Sequence, residues 1–503
     1  MKIHYTHKDL HSIYEYLVKE VRRNIENERY EKALSHIYTA ANFQYWYNEI
    51  YIDNRLENGL KHISEKLLNK NEEATKEDVI LFYDFLSRDN IGLTQQYVSS
   101  LIKDNKNKII YVTERKLDTP ERSDILSMLK NNDITFYELP NGDYTKRIKD
   151  LYLILLQNRP KRVFLHIAPW SIIPIVALWA FPNIHKILIN LTDHAFELGF
   201  GLIDLSLEYR RYGLLLSKHL RCVPENKLCY LPFYPWINEL SSFEGFPDET
   251  RGKIILFSGG SIYKITDKTN TFFHLIRKIL ENNPNTVFLY AGSGNSSVLE
   301  KLIKRHNLEN RFFLLGQRHD IAQVFQHCDI YIGTYPSSGG LMSQYAAYYK
   351  KPIIAYATKK SDDIIIGKDE IVYSYDNIEE LNKEATKLVT DRQYRENRGE
   401  RFKSCLIKTE EFTKLVIGIS EGEFVGVPYK APRNGEFDFD VKDKYLELIN
   451  LNASKGLIER LIVNDLGLCS LPVLPKVYIN RLLYILTGKS RLYEKIMGVL
   501  NLK

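Results

Sequence analysis

The chain has 503 residues, 44% hydrophobic and 26% charged, a globular composition long enough for two or three domains; disorder, collagen and a small disulfide scaffold are excluded. Lys plus Arg number 69 against 63 Asp plus Glu, and the resulting net charge of +6 is too small over this length to mark a nucleic-acid binder. The five cysteines, Cys222, Cys229, Cys328, Cys405 and Cys469, form no C-x-x-C pair, and Met1–Asp9 lacks the apolar run of a secretory signal. A reducing, cytoplasmic setting is the expectation.

Residues 1–75 read as a helical prefix, with Ile13, Leu17, Val21 and Ile25 spaced at helical intervals in a run without Gly or Pro. A first domain is expected over 76–240. Its strands are Val79–Asp84, Lys108–Val112, Arg162–His166 and Ile187–Asn190, alternating with helical stretches in the manner of a parallel sheet covered on both faces. Val163–Ile184 carries no Asp, Glu, Lys or Arg, yet Pro169, Pro174 and Pro182 break it, so it reads as a buried strand and short helix, not a membrane span.

Gly245, Pro247 and Gly252 suit the stretch Ser241–Lys253 to an interdomain linker. A second domain over 250–420 repeats the pattern, with strands at Ile254–Phe257, Thr286–Tyr290, Phe312–Leu315, Ile330–Ile332 and Pro352–Tyr356 and helices at Asn270–Glu281, Ser297–His306 and Leu341–Tyr349. The fold class is therefore α/β: two doubly wound Rossmann-like domains facing each other across a cleft, between a helical prefix and a helical tail over 421–503. In Ser470–Lys503 six Lys and Arg stand against the single Glu494, interleaved with Val477, Ile479, Leu482, Leu486, Leu492 and Ile496. Two outcomes are open for this tail. It either contacts an anionic membrane surface at the inner face or folds back onto the first domain.

The first chemical feature is Phe257-Ser258-Gly259-Gly260-Ser261-Ile262-Tyr263-Lys264 after a strand. Two glycines let the backbone approach a ligand, and Lys264 can reach a diphosphate; a plain turn with a solvated lysine is the competing reading. Two further strand ends carry Ala291-Gly292-Ser293-Gly294 and Leu315-Gly316-Gln317-Arg318. A third runs through Ser337-Ser338-Gly339-Gly340 into a helix, whose free amides suit an anion. In the first domain Asp193 and His194 follow a strand in Thr192-Asp193-His194-Ala195-Phe196-Glu197-Leu198-Gly199. Either the imidazole enters the cleft, or Asp193 caps a helix and His194 packs. Glu197 and Asp204 are candidate bases on the acceptor side, Arg210 and Arg211 read as a surface charge cluster, and Gly92 marks a turn bordering the acceptor side. No H-E-x-x-H and no paired Cys occurs, so no metal or other cofactor is expected.

This order of loops resembles the carboxy-terminal domain of glycosyltransferases of the GT-B fold over Lys253–Ser374, and more loosely over Val79–Trp236. Tyr263-Lys264-Ile265 is similar to the diphosphate-binding lysine motif of the O-GlcNAc transferase group and its bacterial relatives. The Asp-His-x-Phe-x-Leu-Gly stretch resembles a motif of bacterial glycosyltransferases whose histidine faces the donor sugar. The resemblance implies a nucleotide-sugar donor, a UDP-sugar foremost, and a glycan, lipid-linked or protein acceptor. Lys264, Gly259, Gly260, Gly292 and the Ser337–Gly340 helix start would hold the diphosphate, and Leu315, Gly316 and Arg318 would receive the base. His194, with Asp193, would face the sugar. The two glutamates of the large retaining GT-B family are replaced by Ser337 and Tyr345, which leaves Gln344 as the substitute ribose contact. That loss also admits a catalytically silent GT-B binding partner, and the fold admits a sugar-nucleotide epimerase.

Overall fold

A computed structural model describes residues 4–90, 92–237, 242–357, 373–427, 446, 449–450 and 456–487. The first sheet contains β1 (Lys76–Asp84), β2 (Lys108–Thr113), β3 (Thr135–Glu138), β4 (Pro160–His166), β5 (His185–Asn190), β6 (Leu205–Glu208) and β7 (Leu228–Tyr230). Its order is β3-β2-β1-β4-β5-β6-β7, and every pairing is parallel. The second sheet contains β8 (Ile254–Gly259), β9 (Thr286–Ala291), β10 (Phe312–Gly316), β11 (Ile330–Ile332), β12 (Ile353–Tyr356) and β13 (Ser374–Tyr375), in the order β10-β9-β8-β11-β12-β13. In each sheet the order reverses beside the first strand, and at that switch point the loops diverge and leave a crevice.

Side-chain alternation explains why both sheets are buried on two faces. Val79, Leu81 and Tyr83 of β1 point into one core with the prefix helices, whereas Ile80 and Phe82 point into another. In β8, Leu256 and its neighbours Ile255 and Phe257 divide in the same way. Parallel strands wetted on neither face need continuous apolar runs, and these runs are what makes the strands readable in the sequence.

The prefix forms three helices, His7–Glu26, Tyr30–Tyr47 and Asn54–Leu67. They are not a separate module, because Leu17, Ile37 and Leu60 share one core with Leu81 and Leu165 of the first sheet. Val163–Ile184 is β4 followed by the short helix Ile173–Trp179, and among the described residues no helix is long and apolar enough to cross a membrane.

The helix Thr409–Glu421 corrects the expected boundary at residue 420. It leaves the second domain and packs on the helix Thr94–Ile102 of the first. There Phe412 meets Tyr97 edge-on with ring centres 5.1 Å apart, and Arg162 donates to the carbonyl of Ser420 at 2.7 Å. The tail follows it back. Tyr5 donates to Glu459 at 2.8 Å, Asp465 receives Ser35 and lies 2.7 Å from His36 Nδ1, and Val477 is fully buried in the first-domain core. Residues 488–503 lie outside the described residues. Asp465→Ala leaves buried His36 without its carboxylate and is expected to cost about 1–3 kcal/mol, read as a lower thermal midpoint and faster proteolysis of the tail. An unchanged midpoint removes the anchoring role.

Candidate functional site

At the carboxyl edge of the second sheet, the turns after β8, β9, β10 and β11 come together. A Cβ on Gly292 would lie 1.7 Å from the carbonyl oxygen of Gly260, and one on Gly259 would lie 2.7 Å from Met342 Cε, so the glycines are what lets these loops close on one another. Gly292 N–H donates to Gly316 O at 2.7 Å, and Tyr290 hydroxyl donates to Gly260 O at 2.8 Å. Lys264 reaches from the β8 loop to Ser338 O, with Nζ at 3.4 Å, while Ser337 N–H donates to Lys264 O at 3.2 Å. Ser338 and Gly339 lead into the helix Gly340–Tyr348, whose N-terminal amides lack intrahelical acceptors. Burial pushes the Lys264 ammonium below its ordinary value. A half-buried cation beside a helix N-terminus is an arrangement that an anion relieves.

The opposite wall is the loop after β5. Asp193 is fully buried, and Arg210 grips both its oxygens, with Nη2 at 2.7 Å from Oδ1; Tyr209 hydroxyl adds a bond of 3.0 Å. Burial opposes ionisation of Asp193, but the Arg210 guanidinium outweighs it and holds the carboxyl well below the usual range. His194, 40% exposed, lies next to it with Nδ1 3.6 Å from Asp193 Oδ1. The prefix fixes the backbone here. Asn48 Nδ2 donates to His194 O at 3.2 Å, Asn48 Oδ1 accepts from Phe196 N–H at 2.8 Å, and Glu57 accepts from Gly199 N–H at 2.7 Å. Tyr45 of the prefix stands 6.4 Å from the His194 ring, 5.1 Å from Trp170, and within electrostatic reach of Tyr263 on the second domain. The Lys264 loop and His194 therefore border one cleft.

Several expectations are corrected. Arg210 is no surface residue but the buried partner of Asp193, and Asp193 caps no helix, since the segment after it forms turns. Glu197, placed on the acceptor side, is completely buried behind the loop, 3.6 Å from Arg221. Burial pushes its carboxyl up to about 8 despite that arginine. Asp204 accepts from Lys186 N–H at the start of β5, at the far edge of the sheet. The Arg318 guanidinium is committed to Asp320 at 2.7 and 2.6 Å and to Gly245 O at 2.8 Å, so its side chain ties the linker down and does not face a base. Gln344 is buried within its helix. Leu315 is half-buried, and Gly316 lies at the open edge, where a Cβ would meet nothing within 4 Å.

One constellation escaped the sequence reading. At the first-sheet switch point, the last residues of β1 and β4 are Asp84 and His166, both fully buried, with Nδ1 2.8 Å from Oδ1. Thr94 and Tyr111 hydroxyls donate to the other oxygen of Asp84 at 2.6 and 2.7 Å, and Leu93 N–H donates to His166 Nε2 at 3.2 Å. These partners assign the imidazole proton to Nδ1. A Cβ on Gly92, at φ +84°, would lie 2.9 Å from the ring, so Gly92 is the residue that lets the turn close over His166. The available signal was an acid and a histidine ending two otherwise apolar strands. Among the described residues no group of three or more His, Cys, Asp or Glu gathers as a metal site.

The Glu197 environment yields a pH expectation. Because its folded value of about 8 stands above the ordinary 4.5, its contribution to stability is fully present below the unfolded value and is lost as pH rises through the folded one. Glu197→Gln is expected to flatten the fall in thermal midpoint between acidic and alkaline buffer. An unchanged slope would show that Glu197 does not titrate in this window.

Residues 244–404 match the family model described as Glycosyl transferases group 1. No curated protein matches the chain. Among solved structures, a glycosyltransferase from Rickettsia africae is 12% identical, with a TM-score of 0.51 over 70% of this chain and 98% of its own. Anabaena Alr3699/HepE, solved with UDP and glucose, is 12% identical, with a TM-score of 0.50 over 68% and 99%. S. aureus TarM is 10% identical, with a TM-score of 0.51 over 69% and 99%. The two parallel sheets are thus those of the GT-B fold, and the match to the glycosyl transferases group 1 model falls on residues 244–404, within the half that carries the second sheet.

Proposed function

We propose that the protein is a glycosyltransferase that moves a sugar from a nucleotide donor, a UDP-sugar, to a hydroxyl of a glycan, lipid-linked or protein acceptor in the cytoplasm. The observation that carries this reading is Lys264, half-buried and poised at Ser338 and the start of the helix Gly340–Tyr348, across one cleft from His194. Support comes from the family match over this same segment, and from the resemblance of Tyr263-Lys264-Ile265 to the lysine motif of the O-GlcNAc transferase group.

In this reading the bond between the anomeric carbon and the β-phosphate oxygen breaks, and its electron pair stays with the diphosphate. The acceptor oxygen bonds to the carbon and releases its proton. Lys264, Gly259, Gly260 and the helix amides stabilise the charge that grows on the leaving diphosphate, the work a cation performs in other transferases; the transfer is therefore proposed to be metal-independent. Gly292 and Gly316 shape the shelf for the base through backbone contacts. His194, oriented by Asp193 and carried on a loop bound to Asn48, meets the sugar.

Lys264→Ala is expected to weaken UDP binding roughly ten- to a hundredfold, the scale of a lost charge-assisted hydrogen bond, in a calorimetric titration. Unchanged affinity removes the phosphate role. His194→Ala is expected to lower turnover of a UDP-sugar by at least about tenfold while UDP affinity stays within about twofold, because its contact is with the sugar. Both are read on a panel of UDP-sugars. UDP binding with no turnover of any of them, by hydrolysis or transfer, would instead identify a silent GT-B binding partner.

A further inference from the structure

The tail has two faces. Leu474 and, within the helix Pro475–Thr487, Val477 and Asn480 turn inward onto the first-domain core, and the helix is held there by Lys476 bonded to Asp9 at 2.6 Å. Ile479, Leu482 and Leu486 recur at intervals of three and four on the other side, and Leu482 is 57% exposed. In the turn before the helix, Leu468 and Leu471 are also exposed, Leu468 to 75%. Of the thirteen large apolar side chains that stand exposed among the described residues, eight lie between Leu457 and Leu486. That concentration separates this face from the scattered apolar residues of an ordinary surface.

We propose that this outward face is a docking surface for an anionic lipid bilayer. The charge supports that occupant. Arg481 lies on the same helix, and Lys489, Arg491, Lys495 and Lys503, outside the described residues, follow it in the sequence against the single acid Glu494. Apolar side chains enter the boundary between headgroups and acyl chains while adjacent cations meet the anionic headgroups, and neither interaction needs a shaped pocket. A second copy of the chain is a poorer occupant, because a twofold contact would set this cationic segment against itself. The surface belongs to the prefix-bearing first domain, so docking would bring that half of the cleft to the lipid. The inference does not rest on the transferase reading, since it concerns residues outside the cleft.

The test is co-sedimentation of the full chain with phosphatidylglycerol vesicles, with phosphatidylcholine vesicles as the control, alongside Ile479→Gln/Leu482→Gln/Leu486→Gln. These three side chains are exposed, so the variant should keep its thermal midpoint and UDP affinity; a truncation would instead remove buried Val477 and unpack the core. The full chain is expected to enter the phosphatidylglycerol pellet at low salt, to leave it as salt rises, and to lose about tenfold in partitioning in the triple variant. Three results overturn the proposal: a full chain that stays in the supernatant, a triple variant that pellets equally well, or a dimer dissolved by the triple substitution without any vesicle binding. Failure of UDP binding, by contrast, would sink the transferase reading and leave this one standing.

Discussion

Arg210 lies against Asp193 with its guanidinium on both carboxylate oxygens and in contact with the faces of Tyr209 and Tyr212, and the position of the His194 loop depends on that buried pair. An uncompensated charge in such a place costs about 3–5 kcal/mol, so neither partner is removable alone. Gly213 is part of the same constraint, since a Cβ there would lie 2.4 Å from Asp193 Cβ. The remaining holds are to backbone. Arg221 donates to Ala195 O at 2.5 Å from one side, and Asn48 binds His194 O and Phe196 N–H from the other. The main chain around the imidazole is thus tied at His194, Ala195 and Phe196.

The second wall is built by a different rule. There the loops carry few ionic contacts, and closeness is obtained by omitting side chains at Gly259, Gly260 and Gly292. Backbone thereby reaches where a diphosphate would sit, and Lys264 supplies a cation beside it. The two walls suit the tasks proposed for them. A cradle for phosphate gains from main-chain donors, whereas a contact to a sugar requires one side chain held in one place.

Much of this was legible because the signals are local. The apolar runs of β1, β2, β4, β5 and β8 to β12 stand out since strands buried on both faces tolerate little polarity, and the glycine loops follow them directly. β3 was not legible, because Thr135–Glu138 is a four-residue edge strand buried on neither end, and β7 has three residues. The pairing of Asp193 with Arg210 spans 17 positions, and that of Asp84 with His166 spans 82. No periodicity announces either. Glu197 shows the opposite failure, for a carboxylate next to a motif reads as chemistry when its neighbours in space bury it.

The return of Thr409–Glu421 to the first domain has a mechanical consequence. The second domain is covalently an insertion within the first, attached by one strand of chain on the way out near Trp236 and another on the way back near Ile407. Two tethers define a line, and a body held at two points on a line turns about it and does little else. A rotation of the second domain about these two crossings would change the separation of Lys264 and His194.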